Sequence, residues 1–182
     1  MVCSLFGRVF RRLFRPTSIL AVMLLAGCAT TVPPNITVVK PFDVNQYLGV
    51  WYEIARLDHS FERNMDQVTA TYALNADQTL AVLNRGFDTQ KQQWRQANGT
   101  AKFIGPSDQG ALKVSFFWPF YGGYFIVALD PDYQWSMVVG PDLKYFWLLS
   151  RQKTLAQDVT SKLLKQAQDM GIDLNQLIWV KQ

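Results

Sequence analysis

Between residues 48 and 150 the chain is interrupted at short, even intervals by clusters of Gly, Pro, Asn and Asp. The runs left between them are too short for stable helices. They are rich in β-branched and aromatic residues, so their backbone groups must find partners in neighbouring strands. The runs are Leu48–Asp58, Val68–Leu74, Leu80–Phe87, Gln92–Phe103, Ala111–Phe117, Tyr124–Leu129, Trp135–Val139 and Tyr145–Leu149. Asn75-Ala76-Asp77, Gly105-Pro106-Ser107-Asp108, Asp130-Pro131-Asp132 and Gly140-Pro141-Asp142 supply turn chemistry between them. Eight such runs predict an all-β fold: an eight-stranded up-and-down antiparallel barrel with room inside for one small ligand.

A helix follows the last run. Thr154 is its expected N-cap, with Gln157 three residues on as in a capping box. Val159, Leu163, Ala167 and Met170 recur at helical spacing, and Gly171 supplies a left-handed stop. Leu177–Val180 reads as a short final strand. The barrel therefore carries one packed C-terminal α-helix and one extra strand.

The net charge of +4 does not indicate nucleic acid. Arg8, Arg11, Arg12 and Arg15 all precede Cys28, and no acidic residue does. Without these four, 14 Lys+Arg face 14 Asp+Glu, and no basic patch stands out for phosphate binding. The arginines form a basic segment before the apolar run Ile19–Ala26, which is too short to span a bilayer as a helix. Leu25-Ala26-Gly27-Cys28 resembles a bacterial lipoprotein cleavage box. That resemblance implies a lipoprotein signal peptide over 1–27 and an acylated Cys28 that holds the protein to a membrane. Residues 28–41 are then a flexible tether and 42–182 the barrel domain. Ala29 stands where an Asp would signal inner-membrane retention in enteric lipoproteins, which points to the bacterial outer membrane. Cys3 and Cys28 are the only cysteines, so the barrel has no disulfide and relies on packing.

Three further motifs identify a family. Gly49-Val50-Trp51-Tyr52 resembles the first lipocalin motif, G-x-W; Pro141-Asp142 resembles the second, and Arg151 the third. The resemblance covers about residues 36 to 182. Gly49–Phe61, Leu112–Tyr124 and Ile178–Val180 look like the bacterial branch, outer-membrane lipoproteins related to apolipoprotein D. In physical terms, Trp51 plugs the barrel floor and Arg151 lies over its ring, a cation–π contact worth on the order of 1–2 kcal/mol when shielded. Gly49, Trp51, Pro141, Asp142 and Arg151 are thus expected to be structural. The bacterial branch implies a hydrophobic ligand, a long-chain fatty acid or a lysophospholipid.

Ligand-wall residues are expected in two places. The segment Phe116–Tyr124 surrounds a Gly122-Gly123 turn element with aromatics, and Phe116, Trp118, Tyr121 and Tyr124 are candidates for a cavity wall or mouth. A packed hairpin, a tip dipping into the membrane surface, or a contact between two copies in a homodimer are the alternatives. Trp147, Tyr145 and Leu149 share one face of the last strand, and Trp147 is the first choice for the wall. Arg63, near His59 and Glu62 in the connection 57–67, could meet an anionic head group or simply be a solvated loop residue.

Chemistry beyond binding finds little support. A single His and no paired cysteines exclude the common zinc sites, and no nucleophile elbow or phosphate loop is present. Glu53 and Glu62 are the only glutamates, and Glu53 shares strand parity with Trp51. Neither it nor His59 has a visible orienting partner, so the chain is read as no enzyme and as needing no cofactor. A lipid carrier is the expected function. A tethered structural or interaction module of the envelope is the alternative, ahead of an enzyme on the same fold.

Overall fold

The structure, a computed structural model, describes residues 30–182. The signal segment and Cys28 lie outside the described residues. The strands are β1 (Gly49–Arg56), β2 (Met65–Leu74), β3 (Leu80–Asp88), β4 (Gln93–Phe103), β5 (Ala111–Phe117), β6 (Phe120–Leu129), β7 (Trp135–Val139) and β8 (Phe146–Ser150). Each pairs antiparallel with the next, and β1 also pairs with β8, which closes the barrel. A short helix α1 (Val44–Tyr47) precedes β1; α2 (Gln157–Asp169) and β9 (Ile178–Trp179) follow β8. The closed up-and-down barrel, the helix and the extra strand are those that the sequence predicts.

Period-two alternation sorts the side chains into two cores. Trp51, Tyr72, Leu80, Val82, Leu112, Ile126, Val138 and Leu149 fill the inner face. Phe125, Met137, Val139, Phe146 and Leu148 point outward, where Leu163 and Ala167 of α2 cover them. Strand β8 shows the division: Phe146 and Leu148 pack outside, Trp147 and Leu149 inside.

Several expectations are corrected. Helix α2 starts at Gln157 with Ala156 as its N-cap and no side-chain cap bond, so Thr154 and Gln157 form no capping box. Leu155 packs against the outer core, which holds the approach extended and delays the helix. The stop is as predicted: Gly171 has φ +94°, its N–H donates to Gln168 O at 2.9 Å, and Ile172 N–H donates to Ala167 O at 3.0 Å. Gly122 and Gly123 make no turn. They pair with Val114 and Lys113 inside the β5–β6 ladder, and Trp118-Pro119 turns the chain instead. Tyr145 precedes β8, its N–H bonded to Asp142 O, yet its ring lies 6.3 Å from that of Trp147 and both face His59, so the two share a side as expected.

The stretch assigned as a flexible tether is docked from Val32 onward. Val32, Ile36 and Val38 pack on the outer core and Pro33 is buried. Val39 N–H donates to Ile126 O at 2.9 Å, and Gly110 N–H donates to Val39 O at 3.0 Å. Small and Pro-rich composition suggests a linker, but these apolar side chains find a surface to cover.

The far end of the chain mends a split. β1 and β2 pair only over Gly49–Tyr52 and Thr69–Tyr72. Beyond that, β9 takes the vacated side of β1, pairing with Ala55 and Arg56. Val180 N–H donates to Ile54 O and Gln67 N–H to Lys181 O, while the Gln182 amide reaches Glu53 O and Val68 O.

One barrel end is shut by Trp51. Its Nε1 donates to Tyr47 O at 2.8 Å, and the Arg151 guanidinium lies 3.9 Å from its ring centroid. Arg151 also donates to Val50 O, Gln46 O and Leu48 O, each at 2.8 Å, and to Tyr133 O at 3.3 Å. Gly49 has φ +91°, a left-handed conformation that favours glycine at the start of β1. Asp142 holds the turn before β8, its carboxylate accepting from Lys144 N–H at 2.8 Å. Arg151→Ala should lower stability by roughly 2–4 kcal/mol, through loss of the ring contact and of donors to four carbonyls. Arg151→Lys should recover only part, since an ammonium cannot span the same acceptors. Denaturant unfolding checks both; wild-type stability in Arg151→Ala would refute the plug.

Candidate functional site

The opposite end of the barrel carries the chemistry. A register shift between Glu53 and Ala55 bends β1. An unbroken strand would put Glu53 and Arg56 on opposite faces; the bulge turns both inward. Arg56 Nη1 donates to Glu53 Oε1 at 2.7 Å, and Nη2 donates to Glu62 O at 2.8 Å and Met65 O at 3.2 Å. Arg56 is 1% exposed, and its Nε has no partner. Glu62 comes from the β1–β2 connection over the barrel mouth, and its carboxylate accepts from Trp147 Nε1 at 3.0 Å. Strand β1, strand β8 and this connection are thus joined through buried polar groups.

Two carboxyls share this one guanidinium in a dry place. Burial pushes Glu53 up to about 8, helped by the charge of Glu62 and opposed by Arg56. Burial likewise raises Glu62, against the Trp147 bond and the Arg56 charge. The pair therefore keeps a proton near neutral pH. His59 is driven down to about 4 by burial and then by Arg56. Its ring stacks between Phe61 and Tyr145, at 5.3 and 4.7 Å, and its Nε2 has no partner.

Below the ion pair the inner wall turns to phenols. Tyr72 OH donates to Tyr124 OH at 2.8 Å, Tyr124 OH meets Tyr47 OH at 2.8 Å, and Tyr47 OH meets Ser136 Oγ at 3.2 Å. Burial raises all three phenols, Tyr47 to about 12, so they stay neutral and serve as donors and acceptors. Gly122 faces inward beside Val114, and a Cβ built there meets no atom within 4 Å. The wall has open space at that point.

The residues singled out in the sequence divide. Trp147, Tyr124 and Phe116 lie on the inner face. Tyr145 sits at the rim, stacked on His59. Tyr121 points outward, with the Lys113 ammonium 5.2 Å from its ring centroid. Trp118 is 83% exposed at the hairpin tip, and Arg63 is exposed and paired with Asp58. Neither Tyr121, Trp118 nor Arg63 lines the interior. Arg56, Tyr47 and Tyr72, which do, carry no sequence signal of their own except that Tyr72 alternates with Ala70. Among the described residues no cluster of His, Cys, Asp and Glu could hold a metal.

The Glu53 proton makes stability depend on pH. Folded Glu53 titrates near 8 against an ordinary 4.5, so the folded state binds the extra proton, and stability declines as pH rises through that window. His59 acts oppositely, its contribution growing from about 4 to 6.5. Above pH 6.5 only the Glu53 effect remains of these two. The melting temperature of the wild type should therefore fall between pH 6.5 and 8.5, and Glu53→Gln should flatten that slope. Circular-dichroism melts across the range decide it, and an unchanged slope in the variant would refute it.

Comparison with known proteins agrees with this geometry. Residues 42–182 match the model of the lipocalin-like domain. Outer membrane lipoprotein Blc of Escherichia coli (strain K12) is 47% identical over 163 residues, 89% of this chain and 92% of that protein. Apolipoprotein D of Mus musculus is 29% identical over 180 residues, 88% of this chain and 93% of that protein. The structure of insecticyanin from the tobacco hornworm Manduca sexta superposes with a TM-score of 0.66 at 21% identity, covering 82% of this chain and 85% of that one. With its matched domain, its bacterial relatives and its closed barrel, the chain belongs to the lipocalin family.

Proposed function

We propose that the barrel carries a single-chain lipid, a long-chain fatty acid or a lysophospholipid, in the bacterial envelope. The observation that carries this reading is the graded inner wall. Its Trp51 end is lined by Leu80, Val82, Leu112 and Ile126 together with the uncharged, mutually bonded phenols of Tyr47, Tyr72 and Tyr124, and its mouth end by Glu53, Arg56, Glu62 and the Trp147 indole. That order suits a molecule with one apolar tail and one polar head. The buried Arg56 guanidinium puts a positive charge at the head-group end. Burying a tail of about sixteen carbons yields roughly 12 kcal/mol gross at about 0.8 per CH₂. Lost freedom on binding brings this down to a micromolar-to-nanomolar net affinity.

Binding is favoured over catalysis because the groups a catalyst would use are occupied or unoriented. Glu53 is held by Arg56, and His59 is buried, neutral and without a partner for Nε2. The relatives named outer membrane lipoprotein support a location at the outer membrane, with acylated Cys28 as the anchor. The exposed pair Phe117 and Phe120 would then be where two copies meet if the protein is a homodimer.

Titration with a fluorescent fatty acid and a lysophospholipid tests the reading. Trp147→Ala should weaken binding by a few kcal/mol at most, near the range for a lost buried aromatic. Gly122→Leu should weaken it by filling the open wall. Absence of saturable binding by the wild type would leave a structural module of the envelope. Cys28→Ser should abolish labelling by a palmitate analogue; equal labelling of variant and wild type would refute the anchor.

A further inference from the structure

We propose that the outer wall of the barrel has a second binding site, for an uncharged carbohydrate, in the groove where β4 and β5 part. The two strands pair only from Thr100–Ser115 to Phe103–Leu112. Beyond Thr100 they separate, and a groove of about 490 Å³ opens between β4, the β2–β3 turn and the β5–β6 hairpin. This volume lies within the roughly 300–1,000 Å³ of small-molecule sites. Asn98, Thr100, Lys102, Ser115 and Tyr121 have the parity of the outer face, while Gly99 and Phe116, with the parity of the inner face, form its floor where the strands part.

The lining chooses the ligand. Trp118 stands at the groove, and with 83% of its surface exposed it offers a flat indole face to a sugar ring. Beside it, the Asn98 amide and the Thr100 hydroxyl make no side-chain hydrogen bond among the described residues, so donors and acceptors both remain for hydroxyl groups. Ser115 is 8% exposed, and its hydroxyl is buried without a partner. A buried hydroxyl left unpaired is disfavoured, so the wall beside the groove holds a polar group whose hydrogen bond is still unmade. The charges cancel: Asp77 and Lys102 both line the groove, and the nearby Lys113 ammonium is turned over Tyr121. A phosphate would meet Asp77 without net attraction, whereas a neutral polyol can use every one of these groups. An aromatic platform, mixed amide and hydroxyl partners and no net charge together point to one or two pyranose rings.

The test is nuclear magnetic resonance titration of the full chain, in a detergent without a sugar head group. Cellobiose, N,N′-diacetylchitobiose and inorganic phosphate are added separately. A disaccharide should give saturable shifts at the amides of Asn98, Thr100 and Ser115 and at the Trp118 indole N–H. Trp118→Ala should weaken that binding roughly tenfold, the order expected for loss of an aromatic face. Asn98→Ala should weaken it too, while leaving the affinity for a fluorescent fatty acid unchanged. Both positions are exposed, so the variants should fold. No saturable shift with either disaccharide would overturn the proposal. So would shifts with phosphate alone, shifts elsewhere on the barrel, or saccharide binding indifferent to both substitutions.

Discussion

The bulge in β1 is the constraint on which the site depends. It places a guanidinium and a carboxyl from one strand inside the barrel within 2.7 Å of each other. A charge so buried must be answered by nearby acceptors, because an unpaired one would cost several kcal/mol. Arg56 meets this need by gathering Glu53, Glu62 O and Met65 O. In doing so it draws the β1–β2 connection down over the mouth and brings Glu62 to Trp147. The same bend parts β1 from β2, and the chain must supply β9 and Gln182 to close the wall.

Two ends of one barrel thus use arginine for opposite purposes. Arg151 gives four of its five donors to backbone carbonyls and lies over Trp51, which shuts the floor. Arg56 leaves its Nε unpartnered and buried inside the barrel. The first end is closed by packing and carbonyl bonds, and the second holds the buried ionisable groups. Between them Tyr47 packs on the Trp51 ring, and its hydroxyl joins those of Tyr124 and Tyr72.

Much of this barrel was legible because its signals are local. Alternation in Phe146–Leu149 marks inside and outside without reference to any other strand, and Trp147 is correctly placed on the inner face. Gly171 stops a helix by its own backbone freedom. Errors arose where a distant surface overrode a local tendency. Thr154 is a good cap that Leu155 draws away from the helix. Gly122-Gly123 is a good turn that the β5–β6 register holds straight, since Phe117 and Phe120 must pair. Val32–Val39 has linker composition, yet it covers apolar surface outside the barrel.

From the sequence alone came the number and order of the strands, the Trp51–Arg151 motif, the C-terminal helix and the family. Each rests on periodicity or spacing within a few residues. The tertiary structure alone decided which polar groups meet inside the barrel. Glu53, Arg56, Glu62 and Trp147 come from two strands and a connection, and a one-residue bulge sets whether they share a face. It also sent Tyr121 and Trp118 to the outer wall, because inside and outside on β6 are fixed by its pairing with β5 and not by the aromatic character of the segment. In a strand each residue chooses between two faces, and a single shift of register reverses the choice.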